Sequence, residues 1–323
     1  MYYVATNGSD LLGDGSILNP WLTIQHAINI IEAIPPSSSN QPAVNIAPGT
    51  YSGSLTFTKG YISLISPYNA KDYTQVVKIV GNITITITDT DDLFNKQVII
   101  QGIQIIGSVI DNSTKQHSLT LQDCYIYAED RALYQNSSAD CRTRVYNCVL
   151  NSVTSSGSTN PQVEISAGDA YFDRADLSYN GNGNVLRVNG TAAIYASICE
   201  FASGTSLAAS PGVSVVSIQT TRACTFGYCL FRFLNTATKT NANGFWLLRY
   251  DPVTLPGEGI NVAYCSFAAN GMSTSEYVAG SSGTGPGATS AIIAFGACLA
   301  QPGNAFNIAG TVGVNKFSLS VVS

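Results

Sequence analysis

The chain has 323 residues, 45% of them hydrophobic, which is enough to bury a sizeable core. Only 11% are charged, against about 25% in an ordinary soluble protein, so the surface relies on Ser, Thr, Asn, Gln and Gly and suits contact with sugars or other proteins. A net charge of −5 and no basic cluster beyond the isolated Arg142 and Arg144 exclude the footprint of a nucleic-acid binder, and no apolar run reaches the roughly 18 residues of a membrane-spanning helix.

In chain order, residues 2–5 read as a short strand, followed by a turn-rich loop through Asn7-Gly8-Ser9-Asp10 and Gly13-Asp14-Gly15-Ser16. No basic, hydrophobic leader precedes it, so the expectation is a chain made in a cytosolic compartment without a signal peptide. Residues 23–34 place Ile24, Ala27, Ile28 and Ile31 on one helical face, and Pro35-Pro36 ends the helix. An amphipathic helix of this kind is the expected cap for the first layer of a stacked β-structure, whose apolar core and strand edge would otherwise be bare. A strand over 43–47 then runs into the turn Pro48-Gly49-Thr50-Tyr51.

Three of these elements carry a resemblance. The opening Tyr3-Val4-Ala5-Thr6-Asn7-Gly8-Ser9-Asp10, the Asn19-Pro20-Trp21-Leu22-Thr23-Ile24-Gln25-His26-Ala27-Ile28 segment and the Pro48-Gly49-Thr50-Tyr51 turn resemble the N-terminal signature of the pectin lyase-like right-handed β-helix proteins. The resemblance implies a groove along a β-helix surface, used by many members to cleave polysaccharides. Their hydrolases carry clustered aspartates with Gly-His-Gly and Arg-Ile-Lys motifs; their pectate lyases carry Asp-His and Arg-x-Pro-x-x-Arg elements. None of those four motifs occurs here.

Strands are expected over 61–65, 76–80 and 83–87. From residue 100 a six-residue phrase recurs, clearest in Ile100-Gln101-Gly102-Ile103-Gln104-Ile105 and Leu121-Gln122-Asp123-Cys124-Tyr125-Ile126. It returns six more times, with its fourth position marked by Cys148, Ala175, Cys199, Cys229, Cys265 and Cys298. Successive markers from Ile103 are 21, 24, 27, 24, 30, 36 and 33 residues apart, a period that signals stacked units. Positions one, four and six are apolar, as in strands with one face buried. Each unit therefore reads as strand, tight corner, strand and variable loop. Asp123 and Asn147 stand just before the marker, and both types tolerate the left-handed backbone of a sharp corner. A short unit cannot bury its apolar face alone, so neighbours must stack about 4.8 Å apart in parallel sheets.

The fold class expected is all-β: a single-stranded right-handed parallel β-helix (solenoid) with an N-terminal amphipathic capping helix. One domain spans 1–323, with strand, loop and cap over 1–40, stacked coils over 41–310, and a closing strand or tail over 311–323. Loops lie at 152–160, 203–212 and 271–287. No second cap is legible at the C-terminal end, which invites a neighbouring molecule there.

Eight cysteines are present. Six occupy the marker position, where an inward thiol acts as a small hydrophobe, so the expected state is reduced and structural. Cys141 and Cys224 lie outside that column and are the better candidates for reactivity or pairing. Two histidines and no C-x-x-C give no zinc signature; no metal or cofactor is expected. His26 belongs on the polar face of the cap helix and His117 in a loop before Leu119. The sequons beginning at Asn7, Asn82, Asn112, Asn136 and Asn189 are as many as this composition supplies.

Acid–base chemistry needs carboxylates at a set separation. The local clusters are Asp89, Asp91 and Asp92, read as a solvated turn before catalysis, and Asp169, Asp173, Arg174 and Asp176, where Asp173 and Asp176 flank a corner. Tyr125, Tyr127, Tyr179 and Tyr228, if outward, offer faces that stack on sugar rings. The reading favoured is a non-enzymatic structural β-helix, a minor capsid, spike or tail component of a virus or phage, partnered by other structural proteins or by further copies of itself. The alternatives are a polysaccharide lyase or glycoside hydrolase with a divergent site, using Asp173, Asp176, Asp91 and Asp92, and an attachment module for a surface glycan.

Overall fold

A computed structural model describes residues 1–34, 36–68, 70, 75–88, 96–137, 141–153, 159–181, 183–204, 214–234, 246–251, 259–269, 277–280, 293–300 and 305–306. Asp89, Asp91 and Asp92, most of the three loops at 152–160, 203–212 and 271–287, and the tail over 311–323 lie outside them. The chain divides into two compact units, residues 1–128 with 132–150, and residues 129–131 with 151–323. Both are parallel β-helix.

In the first unit, one parallel sheet runs Tyr2–Val4, Ala43–Ile46, Ile62–Ile65, Gln97–Gln101, Ser118–Gln122 and Arg142–Tyr146. A second contains Gly49–Ser52, Val77–Val80, Ile103–Ile106 and Tyr125–Ala128, and a third contains Leu55–Phe57, Ile83–Ile85, Val109–Asp111 and Leu133–Gln135. From Ala43 onward each full coil thus holds three strands, one more than the phrase predicts. The additional strands are three residues long, too short for an alternation to declare itself. Registers are unbroken: Leu121 pairs with Ile100 below and Val145 above, stacking inward side chains in columns.

The second unit repeats the plan. Asp169–Asp173, Ala193–Ser197, Cys224–Gly227, Ile260–Ala263 and Ile293–Gly296 form one sheet. Across the corner, Asp176–Tyr179, Glu200–Ser203, Leu230–Phe233 and Ser266–Ala269 form another. Phe201, Phe231 and Phe267 come from three successive coils in register and stack at 5.3 and 4.7 Å between ring centroids. Such offset stacks contribute about 0.5–1.5 kcal/mol per pair beyond the area they bury.

The corner of the phrase is where sequence and backbone meet most directly. In all eight copies the third residue has positive φ: Gly102 (72°), Asp123 (53°), Asn147 (49°), Arg174 (51°), Ile198 (54°), Tyr228 (56°), Tyr264 (56°) and Ala297 (50°). Asp and Asn were expected there; Ile is a strained choice, because a β-branched side chain crowds the left-handed backbone.

The recurring cysteine has a physical cause. At the corner, the first residue's carbonyl and the fourth residue's N–H are served by the thiol of the next coil. Cys124 N–H donates to Cys148 Sγ at 3.4 Å, and that thiol's one S–H has Leu121 O at 3.4 Å and Tyr146 O at 3.2 Å within reach. Cys229 N–H donates to Cys265 Sγ at 3.3 Å, whose S–H has Phe226 O at 3.5 Å and Ala263 O at 3.3 Å within reach. A thiol is apolar enough for the core yet both gives and accepts a weak hydrogen bond. All eight cysteines are buried as thiols, including Cys141 and Cys224. That burial removes the access reactive cysteines need, contrary to their reading as reactive candidates.

The helix Ile24–Ala33 buries Ile24, Ala27, Ile28 and Ile31, and Thr23 caps it by accepting from His26 N–H at 3.3 Å. It closes the end of the first unit in a specific way. Leu55–Phe57 is the terminal strand of its sheet. The Gln25 amide accepts from Thr56 N–H at 2.7 Å and donates to Thr56 O at 3.2 Å, standing in for the missing strand. Glu32 takes the N–H groups of Thr58 and Lys59. Edge groups that would template pairing are thereby occupied.

Candidate contact surfaces

Among the described residues, the acids singled out from sequence, Asp169, Asp173 and Asp176, do not converge. Asp173 ends one strand and Asp176 begins the next, on different sheets either side of the Arg174-Ala175 corner. Asp173 pairs with Arg174 Nε at 3.2 Å, both partly exposed. Asp176 aligns with Glu200 of the following coil, which pairs with Arg232 at 3.2 Å. Asp169 pairs with Arg222 at 2.7 Å, and that guanidinium also donates to Gly168 O and Thr191 O, tying neighbouring coils together.

The tyrosines divide. Tyr228 is 63% exposed, as expected, and stacks on Tyr264, 58% exposed, at 4.9 Å and 7°. Both sit at the corner position, so the positive φ that turns the chain also aims these rings outward. Tyr171 and Tyr195, in register on one sheet, stack at 5.0 Å and 14°. Tyr179, expected outside, is buried: after the corner, alternation places Leu177 and Tyr179 inward, and its hydroxyl donates to Asn160 O at 2.9 Å.

The N-terminal loop presents a different kind of surface. Trp21 is its anchor, buried, stacked on Tyr2 at 5.1 Å and edge-on to His26 at 5.6 Å, with Nε1 donating to Gly13 O at 3.2 Å. Gly15 lies flat against the indole with φ 77°; a Cβ there would come within 2.7 Å of the ring. Asp10 fixes the return of the loop, accepting from the N–H groups of Leu22 and Thr23 and from the Thr23 hydroxyl at 2.7–2.9 Å. Burial works to raise the Asp10 pKa, but these hydrogen bonds and nearby His26 bring it below the ordinary carboxylate value.

Held this firmly, the loop nevertheless displays Leu11 (90% exposed), Leu12 (83%), Ile17 (68%) and Leu18 (87%) to solvent. Beside Ile17 opens a cleft of about 450 Å³ lined by Tyr3, Pro20, Pro48, Pro67 and Tyr68. Scattered exposed aliphatics are ordinary, whereas four on one braced loop make a group that needs an explanation. Sequence reading saw only the turn residues of this loop and passed over the aliphatics between them.

A fourth feature lies inside the first unit. Asp111, His117 and Cys141, all buried, bring a carboxylate oxygen, a ring nitrogen and a sulfur within 4.8 Å of one another. His117 does precede Leu119 in a loop, but that loop is part of the core. Its Nε2 lies 2.9 Å from Asp111 Oδ2 and its Nδ1 2.9 Å from Lys115 O. Burial works against charge on the ring, yet the hydrogen bond and charge of Asp111, with the Lys115 carbonyl, raise its pKa, and Lys96 opposes them.

No protein-family model matches the chain, and no curated protein sequence does. Its structure is similar to that of Geobacillus virus E2 ORF18, with a TM-score of 0.62 at 15% identity, over 99% of this chain and 62% of that one. The chain thus spans less than two thirds of that protein's length, and at this identity the likeness is one of fold. Among the described residues no helix is long and apolar enough to cross a membrane.

Proposed function

We propose that the chain is a non-enzymatic structural component of a virus or phage particle, a pectin lyase-like right-handed β-helix that docks on a neighbouring particle protein through its N-terminal loop. The observation that carries this reading is the braced loop with Leu11, Leu12, Ile17 and Leu18 exposed. Burying such side chains is worth roughly 1.5–3 kcal/mol apiece, a driving force that exists only when a partner covers them. The likeness to a virus-encoded β-helix supports the setting. The lack of lyase and hydrolase motifs supports the non-enzymatic part.

A glycan-contact role is the second reading, favoured by the stacked pairs Tyr171–Tyr195 and Tyr228–Tyr264. The test is turnover of a broad polysaccharide panel by the purified chain, with calcium present or chelated. The expected result is no new reducing ends and no unsaturated products. Cleavage that disappears in Asp173→Asn or Asp176→Asn would overturn the non-enzymatic reading, and binding without cleavage that is lost in Tyr228→Ala would favour the second.

A further inference from the structure

We propose that Asp111, His117, Cys141 and Gln135 form a buried binding site for a single divalent transition-metal ion, with zinc as the ion their chemistry suits. The argument starts from the stacking of two coils. Asp111 and Gln135 are register partners on adjacent strands, and so are the positions of His117 and Cys141, since Ser118 pairs with Arg142 and Arg142 N–H donates to His117 O. Two inward positions of one coil and the same two of the next thus form a square of four polar side chains. The neighbouring position in the preceding coil is apolar Ile85 for the Asp111 column and the buried Lys96 for the His117 column.

Grouping these four inside a β-helix is costly. A buried carboxylate–imidazole pair is often no better than hydrophobic residues of similar volume, so its presence calls for a role beyond packing. The orientation of His117 supplies one. Lys115 O can only accept, so Nδ1 must carry hydrogen, and Nε2 is left facing a carboxylate oxygen at 2.9 Å. An Nδ1–H held by a backbone carbonyl, with Nε2 aimed at a carboxylate and a thiol, is how metal-ligating histidines are set by their surroundings. Gln135 Nε2 lies 3.0 Å from Cys141 Sγ, and turning that amide over would bring Oε1 to the same point.

The donor set is one sulfur, one imidazole nitrogen and two oxygens. Tetrahedral zinc with bonds of about 2.0–2.3 Å holds such donors roughly 3–4 Å apart, close to the spacing already present. Magnesium and calcium prefer oxygen alone, so the thiol argues for zinc or a neighbouring transition ion. With no exposure at Asp111 or His117, the ion must enter as the chain folds.

This inference stands apart from the particle reading. Its test is elemental analysis and cobalt spectroscopy on the full chain, expressed with zinc or with cobalt in the medium. The expected result is about one zinc per folded chain and, in the cobalt form, a thiolate-to-cobalt charge-transfer band. Cys141→Ser removes that band and lowers metal content at least about tenfold, while Cys224→Ser, a buried thiol elsewhere, leaves both unchanged. Wild-type protein with no more metal than the Cys141→Ser, His117→Gln variant, or a cobalt form without the thiolate band, would overturn the proposal. If the variants do not fold, the wild-type metal content and cobalt spectrum decide alone.

Discussion

Cys148 supplies the hydrogen-bond partner that Cys124 lacks at its corner: the Cys124 N–H points to Cys148 Sγ at 3.4 Å, and the same thiol reaches Leu121 O. Cys148→Ala keeps the fold but leaves both backbone groups buried without that partner. The expected cost is about 1–3 kcal/mol, read as a lower urea midpoint at unchanged slope. A variant as stable as wild type would show that the thiol column is packing alone.

Ile198 occupies the left-handed corner at φ 54° with its side chain more than half exposed. Ile198→Asn should therefore stabilise the second unit by roughly 1 kcal/mol, since Asn tolerates this backbone and little apolar contact is lost. The reverse change at an equivalent corner, Asn147→Ile, should destabilise by a similar amount and also lose the bond from Asn147 Nδ2 to Asp123 Oδ1 at 2.6 Å. Thermal unfolding of the pair checks the sign of each.

Gln25→Ala uncovers both backbone groups of Thr56 on a terminal strand. Amide exchange at Thr56 should speed up by about tenfold or more, equivalent to about 1–2 kcal/mol of local protection. Exchange at Thr84, one strand further in, should stay near its wild-type value. Equal acceleration at both would mean that the helix as a whole had detached.

The Asp10 pKa is lowered in the folded chain. The unfolded chain therefore binds the proton more readily, and this group's contribution is complete above the ordinary aspartate range of about 4. It is lost as pH falls through the folded value. In a Trp246→Phe background, Trp21 fluorescence should show Asp10→Asn loosening the loop at neutral pH, with the difference from wild type vanishing in strong acid. A difference that grew toward low pH would contradict the assignment.

The phrase was legible because the corner constrains two neighbouring positions at once. The residue at positive φ and the inward residue after it repeat from Gly102-Ile103 to Ala297-Cys298. The helix was legible because Ile24, Ala27, Ile28 and Ile31 share one face over enough turns to establish a period. Val109–Asp111 and its counterparts were not, since three residues with two inward side chains carry no period. Tyr179 was misplaced because alternation restarts at each corner. The Asp111, His117 and Cys141 cluster left no local spacing to read, because the ladder register between coils brings its members together. Leu11, Leu12, Ile17 and Leu18 were hidden among turn residues, whose signal says where a chain bends and not what it presents.

The most direct test of the assembly role asks what covers that loop. A photoreactive amino acid replacing Leu18 in the full chain, irradiated within assembled particles, should form a covalent adduct with a second particle protein, and the same replacement at Tyr264 should not. Particles that purify without the chain, or a Leu18 position that yields no protein adduct in particles that contain it, would contradict the account.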